Sequence, residues 1–99
     1  MSDQPKTSVL ATFAAAAHAT EADFAKVIDA ELARAKELVE AGVIVHGYHR
    51  TDLVGAALIV DAESVEAARE IFATLPAVAA GLVVEESIVP LIPLQLPQD

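Results

Sequence analysis

The run Ala56-Ala57-Leu58-Ile59-Val60, opened by Gly55 and closed by Asp61, is apolar at every position. A strand shows alternate side chains to opposite faces of its sheet, so this one can leave neither face to water. Any fold that accepts it must cover both. Just upstream, Val43 to Arg50 reads as a second strand, and Thr51-Asp52-Leu53-Val54 supplies the short polar turn that an antiparallel pair needs.

The rest of the chain falls into place around that pair. Thr7 to Ala14 is apolar on both alternating faces and reads as the first strand. Thr20-Glu21-Ala22-Asp23 resembles a capping box with Asp in place of Glu, which starts a helix near Thr20. Phe24, Val27, Ile28, Leu32, Ala35, Leu38 and Val39 then recur at helical spacing, and Gly42 ends the helix. One face of that helix calls for a sheet to cover it. Ser64 caps a second helix with a stripe of Val65, Ala68, Ile71 and Phe72, which stops by Pro76. Ala77 to Gly81 reads as a small-residue connector, and Leu82 to Val89 as the closing strand. The order strand, helix, strand, strand, helix, strand predicts an α+β, ferredoxin-like βαββαβ fold, with two helices on one face of a four-stranded antiparallel sheet. The other face lacks the polar residues that water would require, so a second sheet from another copy is its simplest cover.

Residues 1–6 are polar, contain Pro5 and are expected to be disordered; residues 7–91 form the domain. Residues 92–99 are a proline-rich arm, whose prolines argue against a further central strand. Its large apolar residues predict that it lies against its own domain or a neighbour. Of the 99 residues, 55% are hydrophobic, above the usual share for a domain this small, which again points to a homo-oligomer, a dimer or higher. The net charge of -9 disfavours nucleic acid and anionic membrane surfaces. The absence of cysteine excludes disulfides and thiolate chemistry and fits a cytoplasmic protein. Val9 to Ala17, followed by His18-Ala19, superficially resembles a signal peptide, but Met1 to Ser8 carries one Lys against one Asp, and the run is short and poor in leucine.

Several pieces together give a family resemblance: Glu31 to Gly42, Tyr48-His49-Arg50, Ile59 to Ser64, Leu75-Pro76 and Val89-Pro90-Leu91. In these the chain resembles the dimeric α+β barrel proteins, and among them the muconolactone isomerase-like and YCII-like small domains. The resemblance implies a ferredoxin-like fold, a dimer and a small-molecule pocket, with Arg50 at the position of the family's arginine after the second strand. The chain departs from both groups. It has no tryptophan and no His-His-Pro tail, and Leu75 stands where YCII-like chains carry aspartate before the proline.

Alternation places Ile44, His46, Tyr48 and Arg50 on one face of the second strand and Val43, Val45, Gly47 and His49 on the other. His46 and Tyr48 are candidate catalytic groups and Arg50 a candidate anion holder, a set suited to moving a proton on an anionic lactone-type compound. The alternative is that these polar residues protect a sheet edge. His49 is a second candidate ligand contact, or a structural histidine if its side is buried. Glu85 and Glu86 interrupt the last strand and face opposite ways. Glu86 is a candidate base and Glu85 a candidate ligand contact, or either is half of an ion pair with Arg50 or Arg34. His46 and His49 diverge on a strand, so no metal is expected, and no phosphate loop or aromatic platform implies a cofactor. Three functions follow as expectations: a muconolactone isomerase-like proton transfer, a non-catalytic assembly module, and a cofactor-free oxygenase.

Overall fold

The computed structural model describes residues 7–97, so the predicted disordered segment 1–6 and the last two residues of the arm lie outside it. Its elements are β1 (Ser8–Ala15), α1 (Glu21–Glu40), β2 (Ile44–His49), β3 (Gly55–Asp61), α2 (Val65–Phe72), α3 (Pro76–Ala79) and β4 (Val83–Leu91). The strands form one antiparallel sheet in the order β2-β3-β1-β4, the ferredoxin-like arrangement. The doubly apolar β3 and β1 take the two central positions, and the more polar β2 and β4 are the edges.

Local chemistry sets the boundaries of α1. The Thr20 hydroxyl accepts the Asp23 amide at 3.2 Å, and the Asp23 carboxylate accepts the Thr20 amide at 2.9 Å. Asp serves here as Glu would, because its shorter side chain still reaches the cap. At the other end Gly42, at φ 76°, turns the chain, while the Gly42 and Val43 amides return to the carbonyls of Val39 and Leu38. That left-handed turn suits glycine. The backbone amide of Thr20, and then its hydroxyl, hold the Asp23 carboxyl below its ordinary range. A depressed carboxyl stabilises the fold above its unfolded pKa and loses that contribution as pH falls through the folded one. Thr20→Ala removes the hydroxyl that caps the Asp23 amide and should cost about 1 kcal/mol in urea unfolding at neutral pH. The difference from wild type should narrow below about pH 4.

The core lies between the sheet and its helices. Val9, Ala11 and Phe13 of β1, Ile44 of β2 and Val60 of β3 meet Leu38, Ala68, Phe72 and Leu75, with the Phe13 and Phe72 rings edge to face at 5.2 Å. Four sequence expectations need correction. Ile44 faces this core rather than sharing a side with His46, because a bulge at Val45 lets Ile44 oppose Val60 while His46 opposes Ile59. One extra residue reverses the alternation. The expected connector after Leu75 contains α3, a single turn begun by Pro76 and tied to α1 where the Ala77 amide donates to Glu31 at 2.9 Å. β4 runs through Pro90, which sits opposite Val9, to Leu91. An edge strand tolerates proline because one side of it has no ladder to break.

The fourth correction concerns cover. The stripe of α1 is only partly covered: Leu38 is buried and Phe24, Val27 and Ala35 are half-buried, but Ile28, Leu32 and Val39 are exposed. Of the two seats expected for the arm, its own domain is not the one it takes. Ile92, Leu94 and Leu96 are all exposed, Leu94 at 83%. The long axis is 54 Å against 27 and 22 Å, and the radius of gyration is 15.0 Å. About 13 Å would suit a compact chain of this length.

Candidate functional site

Two polar groupings and one cleft emerge, on opposite sides of the sheet. On the face away from the helices, the rings of His46 and Tyr48 stack with centroids 6.3 Å apart. Arg50 continues that face beyond the end of β2. Its guanidinium grips Asp52 through two hydrogen bonds of 2.9 and 2.6 Å and also donates to Glu86. β2 and β4 are opposite edges, so the Arg50–Glu86 pair passes over β3 and β1. Thr12, Ala14 and Ala57 occupy that face between them and are small enough to lie beneath it.

This arrangement changes what Arg50 can do. The hydrogen bonds it donates to Asp52 first and Glu86 second push its pKa still further above the ordinary arginine value, and Arg50 in turn holds the Asp52 carboxyl low. Two carboxylates around one guanidinium leave a net negative cluster. Glu86 lies in a β4 bulge, since Thr12 opposes Ser87 while Phe13 opposes Glu85. Glu85 turns toward the helices, where Arg69 of α2 donates to it at 3.0 and 3.3 Å. The sequence pairing of Glu86 with Arg50 thus holds. Arg69, at the C-terminal turn of α2, takes the place that Arg34 was expected to share; Arg34 bonds Thr74 and Glu37 instead.

On the helix side, α1 stands away from the β2 edge and leaves a cleft in two adjoining parts. The edge half holds about 270 Å³ and is lined by Ile28, Leu32, Ala35 and Ile44, among others. The inner half holds about 220 Å³, with Phe13, Phe24, Val54 and Val83 in its walls. Glu31, His49, Ala56 and Leu58 belong to both. His49 comes to this side because it opposes Ala56, one residue beyond Tyr48 in the alternation. It is solvent-exposed, so the buried structural histidine is not what the fold makes of it. Gly47 leaves room beside it, for a Cβ there would sit 3.3 Å from a Leu58 methyl.

Glu31 was not foreseen from the sequence. Its signal was there: it lies three residues after Ile28 and four before Ala35, beside the apolar stripe rather than opposite it. One of its oxygens accepts the Ala77 amide, which orients the carboxylate in the cleft wall. The six candidate residues are therefore divided. His46, Tyr48, Arg50 and Glu86 gather on the outer face, His49 lines the cleft, Glu85 is paired with Arg69, and Tyr48 also borders the edge half. Among the described residues, no cluster of three or more His, Asp or Glu could hold a metal ion. No helix among them is long and apolar enough to cross a membrane.

Comparison with known proteins agrees with this architecture. No curated protein sequence matches the chain. The family model of the YCII-related domain matches residues 9–92, from the start of β1 to just past the end of β4. The match takes in the whole sheet, every helix and both polar groupings, and the chain belongs to the YCII-related domain family.

Proposed function

We propose that this domain binds a small, predominantly apolar ring compound in the inner half of the cleft, and that His49 exchanges a proton with it. The observation behind this reading is that His49 and Glu31 are the two ionisable groups shared by both halves of an otherwise largely apolar cleft. Apolar walls with few polar groups are the usual make-up of a small-molecule site. At about 220 Å³ the inner half suits a lactone-sized molecule better than a coenzyme.

In this reading, neutral imidazole takes a proton from a carbon beside a carbonyl and returns it to another carbon, so that His49 ends as it began. Glu31, fixed by α3, is placed to accept a hydrogen bond from the ligand or the imidazolium. An anionic group held by Arg50 would have to compete with Asp52 and Glu86, so negative charge is not what we propose the cleft recognises. The muconolactone isomerase-like chemistry then keeps its proton shift and changes the residue that carries it.

The test is deuterium uptake from heavy water into unsaturated lactones that perturb the amide spectrum of the protein. His49→Ala should slow uptake about 100-fold or more while leaving the amide perturbations of Phe13, Phe24 and Ala56 in place. Uptake unchanged by His49→Ala, or perturbations confined to His46 and Tyr48, would overturn the assignment.

The rival reading, a non-catalytic assembly module, draws on the outer sheet face. Leu10 and Ile59 oppose each other there, and Val84 and Val89 are exposed beside them. We propose that this face packs on a second copy whether or not the cleft is catalytic. Ile59 is the β3 residue turned toward it, since Leu58 packs against the core.

A further inference from the structure

We propose that the ligand of the cleft carries a protonated amine, and that Glu31 selects it. This rests on the reading above, which puts a small ring compound in the inner half, and names the charged group that such a ring would bear.

The carboxylate is built into the wall and left half used. Glu31 is half-buried on α1 and lines both parts of the cleft. The Ala77 amide donates to its Oε1 at 2.9 Å, which fixes the carboxylate against the single turn of α3. Its Oε2 has no hydrogen-bond partner among the described residues. An ionised carboxylate only accepts, so whatever meets Oε2 must be a donor.

Among the described residues, no cation of the chain is left to be that donor. Each of the three arginines already holds a carboxylate elsewhere: Arg34 pairs with Glu37, Arg50 with Asp52 and Glu86, and Arg69 with Glu85. Lys26 and Lys36 are exposed on α1, five residues before and five after Glu31. At 3.6 residues per turn both stand about 140° round the helix from it, and neither lines the cleft. His49 lines the same cleft but makes no ion pair with Glu31 among the described residues.

The inner half thus sets one carboxylate among apolar walls that include Phe13, Phe24 and Val83. The charge of -9 on the whole chain draws cations toward it and keeps anions away. A hydroxyl on the ring could reach Oε2 as well, but a hydrogen bond assisted by charge is roughly twice as strong as a neutral one. An ammonium group therefore gains most from this wall.

The same charge suits the proton transfer. Negative charge develops on the carbon that gives its proton to His49, and an ammonium group beside that carbon stabilises it. The carbon–hydrogen bond breaks toward the imidazole, and the imidazolium returns the proton to carbon. The amine and Glu31 keep their protonation throughout.

Benzylamine, benzyl alcohol and benzoate offer one ring with a positive, a neutral and a negative group. They are titrated at neutral pH and followed through the amide signals of Phe24 and Ala56, which line the inner half. Benzylamine should bind at least about tenfold more tightly than benzyl alcohol, and benzoate most weakly. Glu31→Gln keeps an oxygen for the Ala77 amide and should bring benzylamine to within about twofold of benzyl alcohol. Glu40→Gln removes the same charge from the last turn of α1, outside the cleft, and should leave the preference intact. The proposal is overturned by equal binding of the three compounds, by benzylamine leaving the amide signals unmoved, or by a preference that survives Glu31→Gln or is lost in Glu40→Gln. The wild-type ranking decides by itself where Glu31→Gln loosens α3. These titrations read recognition and not proton transfer. No preference for benzylamine, with His49-dependent uptake intact, would remove the amine alone, and the reverse outcome would remove the chemistry alone.

Discussion

Phe72→Ala should unfold the domain at far lower denaturant than wild type, with a loss of about 3–5 kcal/mol. Phe72 is 2% exposed and meets Phe13 edge to face, so the substitution removes both the buried ring and one partner of an aromatic pair. Its neighbours cannot close the gap easily. β1 is held by hydrogen bonds on both sides, and α2 is a helix of only eight residues. Against a usual total of about 5–15 kcal/mol, the loss brings a 99-residue domain close to its folding limit. Phe72→Leu should recover much of it, since volume and not aromaticity supplies the larger share. Urea titration of the three proteins is the check. A Phe72→Ala protein within 1 kcal/mol of wild type would mean that α2 does not close the core.

Gly55→Ala should be nearly as severe, for a reason unrelated to backbone φ. A Cβ on Gly55 would lie 2.1 Å from the carbonyl oxygen of Phe13 and 3.1 Å from the Ala14 Cα, and neither can swing aside as a side chain would. β3 begins here, hydrogen-bonded on both flanks: the Arg50 amide donates to the Gly55 carbonyl at 3.0 Å and the Ala15 amide to that of Val54 at 2.8 Å. The strand must separate from β1 or slip in register, at a cost of about 3 kcal/mol or beyond. Gly47→Ala is the comparison, because its new Cβ would meet only the movable end of Leu58. Thermal unfolding should rank wild type above Gly47→Ala and both well above Gly55→Ala. Equal midpoints for the two alanine variants would contradict the close approach of β3 to β1.

Much of this fold is legible in short windows of sequence. The Thr20 capping box, the Gly42 stop, the Ser64 cap and the extent of β3 each depend on residues within a few positions of one another. The sheet order follows once the element order is known. The bulge at Val45 was not legible, because a bulge is decided by what the opposing strand offers, here Val60 and Ile59 separated by one position where β2 presents two. The length of β4 was hidden for a similar reason. Pro90 argues against a strand until β4 is known to be an edge.

The site was harder to see than the fold. His46, Tyr48 and Arg50 share a face, as alternation requires, and Arg50 does meet Glu86. Nothing near Arg50 in the sequence indicates that one guanidinium answers two carboxylates at once. The cleft depends on the angle at which α1 leaves the β2 edge, a property of packing between distant segments. His49 and Glu31 are 18 positions apart, and only the tertiary fold places both in one wall.

The unlike edges of the sheet bear on aggregation. Pro90 leaves the outer rim of β4 short of a donor, whereas β2 has no proline and is interrupted only by the bulge at Val45. Stacking of sheets rim to rim into a fibril would need two receptive rims on every molecule, and Pro90 makes that of β4 the less receptive of the two. Extended growth through both rims is therefore disfavoured, which offsets the hazard that an open strand brings to a chain this apolar.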